Sequence, residues 1–239
     1  MTKAVIAATL LIVFMATDGA EARKKWEFPV SPYFWLQSWS GSVGTGDTRP
    51  IDLSVSDYLD KLSWGASAHA EALYDPWALM FDIVYRNLKP EEGDFLADID
   101  LLQVELAAAY EVGLWVPTGL TFEALAGGRY YGTSVLLKDM GIEVGNRDKQ
   151  WVDPIIGGRV VRPFKEAWTA VLRGDIGGFG VGSTFSWNLV LGVGYRVGTM
   201  SFFAAWRTMG VDYEDGSGAD KFVWDTVSTG PGIGLTFHL

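Results

Sequence analysis

Cysteine is absent from the 239 residues. Disulfides, a thiolate nucleophile, cysteine-built metal sites and a lipid-modified cysteine are therefore excluded. Histidine occurs twice, at His69 and His238, so no cluster of metal-ligand spacing exists. Positive charge is scarce as well. Nineteen Lys and Arg stand against 29 Asp and Glu, a net charge of −10. With no basic stripe to meet phosphates, a nucleic-acid partner is excluded, and so is electrostatic docking on an anionic membrane surface. Beyond the N-terminal segment no apolar run approaches the roughly 20 residues of a membrane helix. No P-loop and no serine nucleophile motif is present, and no cofactor is expected.

What is abundant is apolar and aromatic. Hydrophobic residues make up 49% of the chain, aromatics 14%, with eleven tryptophans. Lys3, the uncharged run Ala4 to Ala16 and the triplet Ala20-Glu21-Ala22 have the order of a cleaved secretory signal. The reading is a signal peptide over 1–22 and one domain over 23–239. An exported chain without disulfides needs another means of holding together, and a closed hydrogen-bonded barrel is one.

The dominant pattern is alternation with period two. Trp77, Leu79, Phe81, Ile83 and Tyr85 share one face, with Met80, Asp82, Val84 and Arg86 on the other. Leu120, Phe122, Ala124, Ala126, Gly128 and Tyr130 oppose Thr121, Glu123, Gly127 and Arg129. Phe185, Trp187, Leu189, Leu191, Val193 and Tyr195 oppose Ser186, Asn188, Gly192, Gly194 and Arg196. The apolar face is aromatic at its ends and aliphatic between, as on a lipid-facing strand. The expected fold is all-β, an antiparallel up-and-down transmembrane β-barrel. Ten strands are predicted, over 26–42, 62–74, 77–88, 97–111, 115–131, 150–162, 165–176, 182–197, 199–213 and 221–238, with eight or twelve as alternatives. Short connectors at Asp75-Pro76, Gly113, Pro163-Phe164 and Gly198 alternate with long ones over 43–61, 89–96, 132–149, 177–181 and 214–220. That places both ends in the periplasm of a Gram-negative bacterium and the long loops outside.

The polar face carries both signs of charge. His69, Glu71, Asp82, Arg86, Glu105, Glu123, Arg129, Asp153, Arg159, Arg173, Asp175, Arg196 and Arg207 are expected to point into the lumen. A small barrel's bore is filled by side chains or holds a modest cavity, and charges there must be paired. The leading expectation is a non-enzymatic barrel with a charged, largely filled lumen, serving envelope integrity or surface interaction. A narrow passive channel for polar solutes is the first alternative. A hydrolase using Asp153, Asp175 and His69 to activate water is the second. A soluble lipid-binding barrel would instead turn Phe81, Phe122 and Trp187 inward.

The loops are acidic. Asp212 to Asp220 lacks the spacing of a calcium loop, so no metal is assigned. Gly174 to Gly182 reads as a tight outer hairpin rather than a phosphate loop. Ser54 to Leu62 has a short helical pattern, with Val55, Tyr58, Leu59 and Leu62 on one face, and could cap the barrel mouth.

Four segments resemble a known family: Pro32-Tyr33-Phe34-Trp35, Trp151 to Gly157, Gly174 to Ser183, and Gly230 to Leu235. Together they are similar to a poorly characterised family of bacterial outer-membrane β-barrel proteins. The resemblance implies location and fold, and carries no catalytic residue. Gly234, Phe237 and Leu239 likewise resemble the terminal signal read by the barrel-assembly machinery. The sequence departs from that signal in ending on Leu rather than Phe. Expected partners are thus that machinery, outer-membrane lipids and lipopolysaccharide. The oligomeric state is left open.

Overall fold

Alternation of side chains becomes a wall. The computed structural model describes residues 25–45, 47–89, 91–92, 95–115, 118–139 and 142–239. The proposed signal segment lies outside them. The strands are β1 (Pro29–Trp35), β2 (Ser38–Thr45), β3 (Asp47–Leu53), β4 (Leu62–Tyr74), β5 (Trp77–Leu88), β6 (Glu91–Glu92) and β7 (Phe95–Trp115). They continue as β8 (Leu120–Asp139), β9 (Ile142–Phe164), β10 (Trp168–Gly177), β11 (Phe185–Val197), β12 (Met200–Asp215) and β13 (Phe222–His238). One helix, α1 (Val55–Lys61), stands between β3 and β4.

From β4 to β13 each long strand pairs antiparallel with the next, and β1 closes the ring. β1 pairs with β13 from Pro29↔His238 to Trp35↔Gly232, and with β4 from Val30↔Ala70 to Tyr33↔Ser67. β1 and β2 act as one wall strand interrupted at Leu36-Gln37, because β13 pairs with both. The result is a closed ten-stranded antiparallel barrel, with β3 added to the free edge of β2. At the interruption the Leu36 N–H donates to the Pro231 carbonyl at 2.9 Å. A side chain at Gly230 would put its Cβ 2.1 Å from the Leu36 carbonyl oxygen, so only glycine permits this approach.

Above Tyr33↔Ser67 the ladder between β1 and β4 stops. The seam holds α1. Ser54 caps the helix in a reciprocal capping box with Asp57. The hydrogen bonds from Ser54 hold the Asp57 carboxyl below the usual carboxylate range. The cap is therefore intact at neutral pH and weakens as acid protonates Asp57. Tyr58 is buried against Trp39, Leu88 and Leu101. Leu59, expected on the same face, is 43% exposed. The helix plugs the seam instead of lying across the mouth.

Three predicted loops hold strand, the first being 43–61, which contains β3. Residues 132–139 continue β8 and residues 142–149 begin β9, with Leu137↔Gly145 still paired, and β6 pairs with the start of β7. Polar residues dilute the alternation there, since both faces of a strand that outgrows the bilayer meet water. Gly113 is not a turn. It sits at a register shift opposite Glu123 and Phe122, and β7 runs on to Trp115.

The outer surface is apolar. Leu79, Phe81, Leu106, Phe122, Ile156, Leu172, Leu189 and Ile233 are all exposed, which excludes the soluble arrangement. Near the short turns, aromatic rings cluster as Trp26–Tyr74, Trp77–Tyr110 and Trp168–Tyr195. On the long-loop side Trp64 packs on Tyr85. An aliphatic belt between aromatic girdles is the surface a bilayer requires. Leu106→Lys should therefore weaken folding into lipid vesicles by about 2–4 kcal/mol, read from urea titration of the inserted protein. An unchanged midpoint would show that Leu106 does not face hydrocarbon.

Candidate functional site: the lumen

The inward positions of neighbouring strands meet at mid-height. Arg129 on β8 is wholly buried and donates from Nε and Nη2 to Glu105 Oε2 at 2.9 and 2.6 Å. The same Nη2 reaches Asp175 Oδ1 at 2.7 Å. Arg173 joins both carboxylates from the other side. Asn188 Nδ2 donates to Asp175 Oδ2 at 2.9 Å, and Arg207 Nε donates to Asn188 Oδ1 at 2.9 Å. Arg207 Nη1 then reaches Asp82 Oδ1 at 3.1 Å and the Tyr33 hydroxyl at 3.2 Å. Tyr33 donates to Asp82. His69 faces Asp82 through Nδ1 at 3.5 Å and Glu71 through Nε2 at 3.0 Å. Arg159 closes the run, with Nη1 to Glu71 at 2.6 Å and Nε to Glu123.

This continuous chain takes residues from every wall strand except β13. Its logic is that of buried charge. A guanidinium removed from water needs carboxylates in its own plane, and the fork of Arg supplies paired bonds. The sequence pattern places the partners. Glu105↔Arg129 and Glu123↔Arg159 are direct cross-strand pairs on the inner face.

Three of the thirteen candidates lie inside but outside the chain. Arg86 rests against the rings of Trp35 and Trp39 at 5.3 and 5.7 Å. Asp153 accepts the Ser183 backbone N–H at 2.6 Å and so anchors the loop after β10. Arg196 is exposed at the short-turn rim, donating to the Gly198 carbonyl at 3.1 Å. The trio suggested for water activation is not assembled. His69 spends both nitrogens on Glu71 and Asp82, Asp175 is clamped by two arginines, and Asp153 is tied to Ser183. Tyr33 and Asn188, which link the two halves of the chain, escaped the charge-based reading. Their inward register, one position in two from Trp35 and from Ser186, was the available signal.

The two halves of the lumen differ. On the long-loop side Trp35, Tyr131, Trp151, Met209, Val211, Tyr213 and Phe222 form a buried cluster. Trp151 stacks on Tyr213 at 3.9 Å and 7°, and on Tyr131 at 5.0 Å. On the short-turn side a cavity of about 390 Å³ opens, walled by Val171, Val190, Phe203 and Ala205, with Arg196 and His238 at its rim. Arg159, Arg173, Arg207, His69, Glu71 and Asp82 form its inner end. The expectation of a largely filled lumen thus holds for one half only. Inward Gly192, Gly194 and Gly232 leave the other half vacant.

The chain has the fold of known outer-membrane barrels. It aligns with the outer membrane protease OmpT from Escherichia coli at a TM-score of 0.55 and 9% identity, covering 94% of this chain and 100% of that one. A major outer membrane protein from Thermus thermophilus aligns at a TM-score of 0.44 and 12% identity, over 90% of this chain and 100% of that one. The translocator domain of the autotransporter NalP from Neisseria meningitidis gives 0.44 and 8%, over 91% and 90%. At 9% identity the likeness to the protease is one of fold alone. No protein-family model matches the chain, and no curated protein sequence does.

Removing one member of a buried pair strands the other, at a cost of about 3–5 kcal/mol. Arg129→Met should lose that much, whereas Arg196→Met at the rim should stay within about 0.5 kcal/mol of wild type. Equilibrium unfolding of the two variants from detergent micelles makes the comparison. Equal effects would remove the clamp from the account of stability.

Proposed function

We propose that this chain is an exported outer-membrane barrel of a Gram-negative bacterium, non-enzymatic and sealed against through-flow, serving envelope integrity or surface interaction. The observation that carries the reading is the clamp of Arg129, Glu105 and Asp175 in the middle of the bore, all buried. The aromatic stack above it adds a second closure. A channel for polar solutes needs a wetted path, and buried ion pairs backed by stacked rings do not supply one.

Three features support the placement. The apolar belt matches lipid. The short turns and both described chain ends share one end of the barrel, the periplasmic end in this reading. The segment 1–22 has the order of an export signal. Lipids and lipopolysaccharide would then surround the belt and the long-loop end. β13, carrying Gly234, Phe237 and, just beyond its end, Leu239, would be the strand that the assembly machinery reads.

Planar-bilayer recording tests the seal. Purified protein is expected to insert without steady single-channel steps. An Arg129→Ala, Glu105→Ala, Trp151→Ala variant that still folds should leak. Reproducible steps from wild type would restore the channel reading.

A further inference from the structure

Among the described residues, one buried cation in the lumen has no counter-charge. Arg129, Arg159, Arg173 and Arg207 each touch at least one carboxylate. Arg86 on β5 is only 7% exposed and has no ion pair among the described residues. Asp82, further along the same inner face of β5, is already held by Arg207, His69 and Tyr33. The rings of Trp35 and Trp39 lie beside the guanidinium, but Trp35 also carries Arg207 at 4.8 Å. An aromatic face shared by two cations is a poor substitute for an anion.

Two neighbouring side-chain amides likewise leave a donor without an acceptor. Arg86 Nε, Gln103 Nε2 and Gln37 Nε2 are buried without a hydrogen-bond partner. Gln37 cannot be turned to offer its oxygen, because its Oε1 already accepts from Trp39 Nε1 at 2.7 Å. Arg86 and Gln103 line a chamber of about 40 Å³ just outside the charged layer, with Thr133, Thr226 and Ser228 also on its wall. Gln37 meets Arg86 in the adjoining pocket at the seam. A water could satisfy a donor, but it brings no charge. A guanidinium withdrawn from solvent demands a negative partner.

We propose that this chamber is a binding site for one small monovalent anion, of the size of a halide, held by Arg86 with Gln103 donating beside it. The volume sets the class. It is roughly three times the 10–15 Å³ that one water requires, enough for chloride, bromide or formate and too little for a phosphate-bearing lipid head. Once bound, the anion completes the pairing that the other four arginines obtain from carboxylates. It also fixes Trp35 and Trp39 against the helix-plugged seam. The site is independent of whether the barrel conducts.

Thermal unfolding of the full mature chain in neutral detergent tests this, in sodium gluconate against sodium chloride, bromide, formate or sulfate at equal ionic strength. Chloride, bromide and formate should each raise the midpoint by about 5 °C over gluconate, whereas any rise in sulfate, which strengthens burial in general, should be the same with and without Arg86. Arg86→Met should abolish the rise with chloride, bromide and formate, while the rim variant Arg196→Gln should keep it. Crystals soaked in bromide should show an anomalous peak in contact with the Arg86 guanidinium. Equal wild-type midpoints in gluconate and chloride overturn the proposal. So does a full rise with chloride in Arg86→Met, or a bromide-free chamber. Should Arg86→Met fail to fold, the wild-type salt series and the bromide map decide the matter alone.

Discussion

Hydrocarbon offers no partner to a backbone N–H or C=O, so every wall strand must be paired along its length within the bilayer. The rest of the structure follows from that constraint. β1 has to find β13, and the ring has to close. Closure at ten strands leaves a narrow bore, and the period of two sends every second side chain into it. Apolar residues cannot fill both sides of such a strand without erasing the difference that orients it. The inner face is therefore polar, and its charges are obliged to pair. Among the described residues, the stretch where the ladder lapses, between β2 and the upper half of β4, is filled by a helix of seven residues and the buried ring of Tyr58.

Alternation makes much of this legible in the sequence. Trp77 to Tyr85 announces its two faces without help, and the thirteen charged candidates all turn inward because a strand cannot rotate one residue without rotating all. Pairing was not legible. Arg86 and Arg129 look alike in sequence, each set in an aromatic strand with a carboxylate four to six residues away. Which one meets a carboxylate depends on the register between successive wall strands, which sets Glu105 opposite Arg129 but Leu101 opposite Arg86. Asp153 and Asp175 sit at equivalent inward sites, yet one anchors a loop and the other a clamp. Tyr33 and Asn188 were missed because an uncharged polar residue is equally at home on a rim or in a bore. Loops were overestimated where strands leave the bilayer, since the contrast between faces fades once both are wet.

Burying a network of charged side chains is not the cheapest way to fill a bore. Apolar side chains of equal volume commonly do as well or better. What charge adds is discrimination among registers. A slip of one residue would turn Glu105 and Arg129 to lipid, an outcome far worse than misplacing leucines. The clamp thus acts on which barrel forms as well as on how firmly it holds.

The division of the lumen into halves carries the argument further. Stacked rings on the long-loop side screen the ion pairs beneath them from bulk water, which strengthens those pairs. The short-turn side is left open by inward glycines, so Arg159, Arg207, His69 and Glu71 form the inner surface of a cup. In the proposed orientation that cup is reached from the periplasm alone. A solute on the cell exterior meets aromatic rings and acidic strand ends, whereas a periplasmic one meets guanidinium groups already committed to carboxylates. Such groups can donate to a further acceptor from a free nitrogen without giving up their partners. Any recognition in the cup would therefore be additive to the network and leave the seal intact.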